Sequence, residues 1–408
     1  MRKSTPDWFL PQGAGTGVFA WSAETVITRL AAMGERLYVV AGELSGDAHG
    51  AGLLRELLAL RPGLEVRGAG GPQMAKIAGG GLVDWVEDAA VMGVWEVLKK
   101  YGWFRKRFAR MLSDLREFQP QVLLLIDYPG FNLRFAEAVR WEFPKIRIVQ
   151  YISPKVWAWN KRRIPKMARI FDEVLCLFPF EVAIFEAAGL KASFVGNPLV
   201  DQLQSVLAED ISRDSNLVGL FPGSREREVE RLFPMMIEVA ERMRNWRSDL
   251  KFEVPAATEK LATKIRGLID RRAASEWISV RTGGSHQLMR QAGCGVIASG
   301  TATLEAACLG IPYCLVYRVA PLTYFLAKLL VKIEFIGLVN IIAGERVVEE
   351  LVQSDANAEK VGEQLKRLIE SPEHASRMRE RLASVSVMLG EPGVESRAAG
   401  RVADWFKS

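Results

Sequence analysis

The sequence predicts an α/β protein built from two doubly wound, parallel-sheet domains, and three observations carry that reading. Short, fully apolar runs alternate with segments of helical period along most of the 408 residues, the pattern of strands buried on both faces between helices. The series occurs twice, either side of a polar passage at residues 208–216. Several runs end in a turn rich in glycine or hydroxyls that opens a helix, which is where ligands gather in such folds.

In chain order, residues 1–35 form an extension with turn residues and one short helical pattern, and no site is assigned to it. A first domain, 36–210, carries strands expected at 37–41, 64–68, 122–126, 146–151, 174–178 and 192–195. A second, 211–355, carries strands expected at 217–221, 252–254, 278–281, 295–298 and 314–317. Two such domains make a cleft at their junction, the expected place for a substrate. Residues 356–408 read as helices broken at Gly390-Glu391-Pro392-Gly393 and placed to pack across both domains, because a proline flanked by glycines cannot continue a helix.

Composition narrows the classes. Hydrophobic residues at 49% and charged residues at 25% describe a folded protein rather than a disordered one. A net charge of +6 is too mild to indicate nucleic acid. The four cysteines, Cys176, Cys294, Cys308 and Cys314, form no C-x-x-C pair, and the three histidines, His49, His286 and His374, are too far apart in sequence for a zinc motif. The apolar stretch 325–342 is interrupted by Lys328, Lys332 and Glu334, so no spanning helix is expected. The first residues lack the apolar core of a signal peptide, and the expected location is the cytoplasm.

The most informative turn is Ser299-Gly300-Thr301-Ala302-Thr303-Leu304-Glu305. The first N–H groups of a helix lack internal partners and sit at the positive end of its dipole, so an anion is their natural guest. Hydroxyls of Ser299, Thr301 and Thr303 would add donors, and Glu305, one turn on, could accept from a ribose diol. By itself such a cluster is more often simply a helix cap. In the same domain Gly223-Ser224-Arg225 follows a strand, and Arg225 could clamp a pyrophosphate through two parallel hydrogen bonds; alternatively it pairs with Glu226 or Glu228 on the helix surface.

In the first domain the turn at residues 42–50 resembles a phosphate or sugar loop, but its glycines do not match the dinucleotide fingerprint. Ser45 and Asp47 are candidate caps there. Asp127, at the carboxyl end of the most apolar strand, is the best general-base candidate, and partial burial would raise its pKa. Residues 91–112 combine a hydrophobic stripe that includes Val94, Trp95, Leu98, Trp103, Phe104 and Phe108 with six lysines and arginines. A basic amphipathic face suits an anionic lipid surface, and a core-packing helix is the ordinary alternative. Trp157 and Trp159, with Lys161, Arg162 and Arg163 behind them, form an aromatic and basic loop of low specificity.

Taken together, GELSGD at 42–47, IDYPGFN at 126–132, SPKVWAWN at 153–160, FPGSRE at 221–226 and SGTATLEA at 299–306 resemble the lipid-A-disaccharide synthase family, over residues 37–353. The resemblance implies an inverting glycosyltransferase of the GT-B class, with two Rossmann-like domains. Its donor would be UDP-2,3-diacylglucosamine and its acceptor 2,3-diacylglucosamine 1-phosphate; the products would be the β-1,6-linked disaccharide phosphate and UDP. No cofactor and no metal are implied. The family's essential aspartate falls on Asp127 and its nucleotide-contacting arginine on Arg225. Its helix-start motif falls on Ser299 to Glu305, a donor-side asparagine on Asn340, and the sugar-side loop on Ser45 and Gly46. Asn197 stands where many members carry histidine. The implied setting is the cytoplasmic face of the inner membrane, held peripherally, and a homodimer is compatible with it. Other UDP-GlcNAc-using GT-B proteins, a peptidoglycan transferase or a 2-epimerase, are the competing enzyme reading, and a nucleotide-sugar sensor the non-catalytic one.

Overall fold

The structure is a computed structural model that describes residues 34–89, 101–320, 324 and 334–407. Two all-parallel sheets organise it. The first has seven strands: β1 (Arg36–Ala41), β2 (Glu65–Gly70), β3 (Leu82–Asp84), β4 (Val122–Ile126), β5 (Arg147–Tyr151), β6 (Glu173–Cys176) and β7 (Ala192–Phe194). Their spatial order is 3-2-1-4-5-6-7. The second has six: β8 (Asp214–Phe221), β9 (Lys251–Ala256), β10 (Ile278–Thr282), β11 (Ala292–Ala298), β12 (Tyr313–Tyr317) and β13 (Glu350–Val352), in the order 10-9-8-11-12-13.

The apolar runs explain why these segments are central strands. Every side chain of β4 is buried, as are all but the first of β1 and of β5, which is what helices on both faces of a parallel sheet require. In both sheets the strand order reverses once, between β1 and β4 and between β8 and β11. At such a reversal the loops on either side diverge and leave a crevice at the strands' carboxyl ends.

The last helices divide between the two sheets. Val361, Leu365 and Leu368 of the helix Ala358–Glu370, and Leu382 and Val385 of the helix Pro372–Met388, belong to the core of the second sheet. Val394, Ala398, Ala399 and Val402 of the final helix, Val394–Asp404, belong to the core of the first. In the other direction Leu199, Leu203 and Val206 of the helix Leu199–Ala208 join the second core. The chain therefore changes sheets ahead of the polar passage expected to divide them. The two crossings are bonded to each other: Asn197 N–H donates to the Leu389 carbonyl at 2.8 Å, and Asp201 accepts from the Gly393 and Val394 N–H groups. Asn197 is buried there, and its Oδ1 accepts from the Leu199 N–H at 3.1 Å.

The final helix is pinned by Glu173, which is fully buried. Its carboxylate receives Arg401 at 2.6 Å, the Ser193 hydroxyl at 2.6 Å and the Trp405 indole N–H at 2.8 Å.

The helix Tyr101–Phe118 packs on the first domain through its aromatic residues. Trp103 stacks on Trp85 with centroids 5.9 Å apart, while Phe104 and Phe108 pack against Phe131, and Phe108 also against Phe135. These three aromatic residues are half-buried and pack on the first domain's core, as the ordinary alternative for such a stripe has it. The face left to solvent carries Arg105, Lys106 and Arg110. Val94, Trp95 and Leu98 lie outside the described residues. Among the described residues no helix is long and apolar enough to cross a membrane.

Candidate active site

The sequence-picked motifs sit at the two reversals of strand order. In the first sheet Ala41 pairs with Ile126 and Ile126 with Tyr151, so the turns after β1, β4 and β5 are neighbours. Gly42 lies against the Tyr128 ring and Gly46 against Ile126, with the loop that starts at Ile152 on the other side of Asp127. Asp127 N–H donates to the Tyr151 carbonyl at 3.0 Å. Behind this rim Trp85 is buried, its indole N–H donating to the Ala41 carbonyl at 2.6 Å, and the Tyr128 ring meets it edge-on.

The helix after β1 spans Leu44–Leu60 with Glu43 at its cap position and no side-chain cap. Neither Ser45 nor Asp47 caps it, as the sequence had suggested. Asp47 is fully buried and turns to the neighbouring helix Pro72–Ala78, accepting from the N–H groups of Gly71, Gln73 and Met74 at 2.9–3.0 Å. Ser45 is exposed and Gly46 is buried at the helix start.

Burial raises the pKa of the Asp127 carboxyl, opposed by a backbone hydrogen bond from Tyr128 and by the charges of Lys155 and His49. Burial and the charge of Asp127 raise that of Glu43 as well. His49 is pushed the other way by burial, toward its neutral form. Around Asp127 there is thus a small titratable group, in which burial favours the protonated carboxyl of Asp127 and the neutral ring of His49.

In the second sheet Phe221 pairs with Ile297, so the turn Gly223–Arg225 lies next to Ser299 and Gly300. Gly223 has φ +105° and sits against the Glu228 side chain, so that a Cβ there would strike it. Arg225 stands at the N-cap position of the helix Glu226–Trp246, with its side chain 72% exposed and 3.0 Å from Glu228. An exposed (i, i+3) pair of this kind contributes little and is readily exchanged for a better anion. Ser224 and Thr301 are exposed, and Ser299 is half-buried with its N–H on the Val316 carbonyl.

Two donor-side residues have structural tasks that the sequence did not reveal. Thr303 is fully buried, and its hydroxyl donates to the Gly300 carbonyl at 2.7 Å, so it shapes the turn instead of offering a donor to an anion. Asn340 is also fully buried, with both N–H bonds spent on the Val348 carbonyl and Glu350, and its oxygen accepting from the Val347 and Val348 N–H groups. It has no free group for a nucleotide and acts by fixing its own turn. Glu305 is mostly buried and lies 3.2 Å from His286, whose pKa it raises; this partner was invisible in the sequence. Trp157 fills the floor beneath its loop, its indole N–H on Glu181 at 2.9 Å. Among the described residues no group of three or more His, Cys, Asp or Glu is placed to hold a metal ion.

Residues 37–400 match the family model described as lipid-A-disaccharide synthetase. The chain is similar to the lipid-A-disaccharide synthase of Geobacter sulfurreducens, with 39% identity over 90% of this chain and 96% of that protein. It is likewise similar to that of Trichlorobacter lovleyi, with 40% identity over 90% and 97%. Among solved structures it resembles the UDP-GlcNAc 2-epimerase of Neisseria meningitidis bound to UDP-GlcNAc, with a TM-score of 0.53, 12% identity and coverage of 91% and 99%. That last likeness is one of fold, the two-domain GT-B arrangement.

Proposed function

This chain belongs to the lipid-A-disaccharide synthase family, and we propose on that premise that its paired crevices form one glycosyltransferase site. The reaction joins UDP-2,3-diacylglucosamine to 2,3-diacylglucosamine 1-phosphate, giving the β-1,6-linked disaccharide 1-phosphate and UDP. The observation that carries the site is the placement of the Asp127 and Gly42–Gly46 turns at one strand-order reversal and of the Gly223–Arg225 and Ser299–Thr301 turns at the other.

Asp127 takes the proton of the acceptor 6-hydroxyl as that oxygen attacks the anomeric carbon. The bond from that carbon to the diphosphate breaks, its electron pair leaves on UDP, and the configuration inverts in one displacement. Arg225 and the first N–H groups of the helix Ala302–Leu309 meet the charge that grows on the leaving group. Arg225 exchanges Glu228 for the diphosphate. Glu305 takes the ribose hydroxyls while His286 holds its carboxylate. Thr303 and Asn340 serve the donor side through the shape of their turns. Ser45 and Gly46 line the acceptor side.

Membrane attachment is peripheral in this reading, on the cytoplasmic face of the inner membrane. It is supported by the exposed cations Arg105, Lys106 and Arg110, each such charge near an anionic surface contributing about 1 kcal/mol. Mass spectrometry of the products from the purified chain and the two acylated sugars tests the function. A disaccharide monophosphate and UDP are expected; free UDP with an unchanged acceptor, or an epimerised donor, would overturn it.

A further inference from the structure

Backbone of left-handed conformation is concentrated beneath Asp127. Among the described residues six non-glycine positions have positive φ, and three of them meet here: Asp127 and Tyr128 at +47° and Ile152 at +67°. Such conformations are unfavourable for residues with a Cβ, above all for a β-branched one, and persist where the surroundings over-determine them. Two buried amides supply that determination. Asn132 is fully buried, and its Nδ2 donates to the Asp127 carbonyl at 2.8 Å and the Ile126 carbonyl at 3.2 Å. Gln150 is 1% exposed, and its Nε2 lies 3.1–3.3 Å from the carbonyls of Asp127, Tyr151 and Ile152. The Asp127 carbonyl is thereby gripped from two strands, β4 through its following helix and β5 directly.

We propose that Asn132 and Gln150 are positioning residues, which lock the left-handed pair Asp127–Tyr128 and so aim the Asp127 carboxylate at the attacking hydroxyl. The proposal rests on Asp127 being the base. Among the described residues the Asn132 side chain acts only as a donor, its Oδ1 having no partner there. Aspartate is therefore not a conservative replacement, because it would set acceptor against acceptor. Methionine at 150 keeps volume while removing the amide, and alanine at 132 removes it outright.

The test measures turnover and thermal melting of the full chain carrying Asn132→Ala or Gln150→Met, alone and with Asp127→Ala, with residual rates read in single turnovers on labelled donor. Misplacing a reacting group by an ångström costs roughly 100-fold, so each single change should lower kcat by about 10- to 100-fold with the donor KM within about twofold. Neither should slow the Asp127→Ala protein further, because residues acting as one unit do not add. A folded Asn132→Ala or Gln150→Met protein with wild-type kcat overturns the proposal, as do losses that multiply with that of Asp127→Ala. If Asn132→Ala does not fold, Gln150→Met decides. Wild-type turnover in Asp127→Ala alone would instead remove the base assignment, and the proposal with it.

Discussion

Replacing Gly42 by alanine would put a methyl group where the Tyr128 ring already lies. A Cβ built on Gly42 falls 2.6 Å from both Cγ and Cε1 of that ring, whereas carbon atoms rest at about 3.5–4.0 Å. The contact is with the body of the ring and not with a flexible tip, so one of the two turns must move by about 1 Å to restore that spacing. Tyr128 cannot swing away freely. Its hydroxyl donates to the Ala89 carbonyl at 3.0 Å, its edge meets Trp85, and its backbone is left-handed. Overpacking of this kind costs about 1–3 kcal/mol, and the displacement passes through one peptide bond to Asp127. A shift of that size at a reacting group slows turnover by roughly 100-fold. Steady-state kinetics on both substrates, with a thermal melt, should show kcat falling by about that factor and UDP affinity unchanged, since the donor turns are on the other sheet. Adding Tyr128→Ala removes the obstruction, so the double variant should be no slower than Tyr128→Ala alone. A Gly42→Ala protein with wild-type kcat, or losses that multiply in the double variant, would refute the steric reasoning.

Three other outcomes follow from the geometry. Arg225→Ala should weaken UDP binding by about tenfold or more, the worth of about 1.5–3 kcal/mol for hydrogen bonds to a charged group, and Glu228→Gln should not weaken it, since Glu228 competes for the same guanidinium; calorimetry with UDP reads both. The Asp127 base form is lost as pH falls through a pKa raised by burial, so the acid limb of kcat/KM should lie above the ordinary aspartate value of about 3.9. Lys155→Ala, which removes a charge that lowers this pKa, should move the limb to still higher pH, and a limb that moves down contradicts the assignment. Glu173→Gln removes the charge that Arg401 and the Trp405 indole N–H bond to, a loss of about 1.5–3 kcal/mol for hydrogen bonds to a charged group; limited proteolysis should then cut the final helix early, and unchanged protection would argue that its apolar face alone holds it.

Much of the fold was legible because buried parallel strands are nearly continuous apolar runs. The strands expected at 37–41 and 122–126 match β1 and β4 closely. β3 and β13 were not expected: each is a three-residue edge strand that carries a carboxylate, Asp84 or Glu350, whereas β7, equally short, has no charge to interrupt it. The helix Tyr101–Phe118 shows a different limit. An amphipathic stripe says that a face needs an apolar partner without saying which, and Trp85, Phe131 and Phe135 supply that partner from segments distant in sequence. The turns around Asp127, Arg225 and Ser299 were visible as strand-to-helix transitions. Their support was not: Gln150 reaches the Asp127 carbonyl through the pairing of β4 with β5, Asn132 reaches it from the first turn of the following helix, and His286 meets Glu305 between two helices. Thr303 and Asn340 show the converse, polar residues in a donor-side motif that the fold consumes for its own hydrogen bonds.

Asp127→Ala tests the central claim most directly, with turnover and UDP affinity measured on the same preparation. Loss of a general base slows a reaction by about 10²- to 10⁴-fold, and the account predicts a loss of that order with UDP bound as tightly as by the wild type. Turnover near the wild-type rate, or a loss explained by failure to bind UDP, would contradict it.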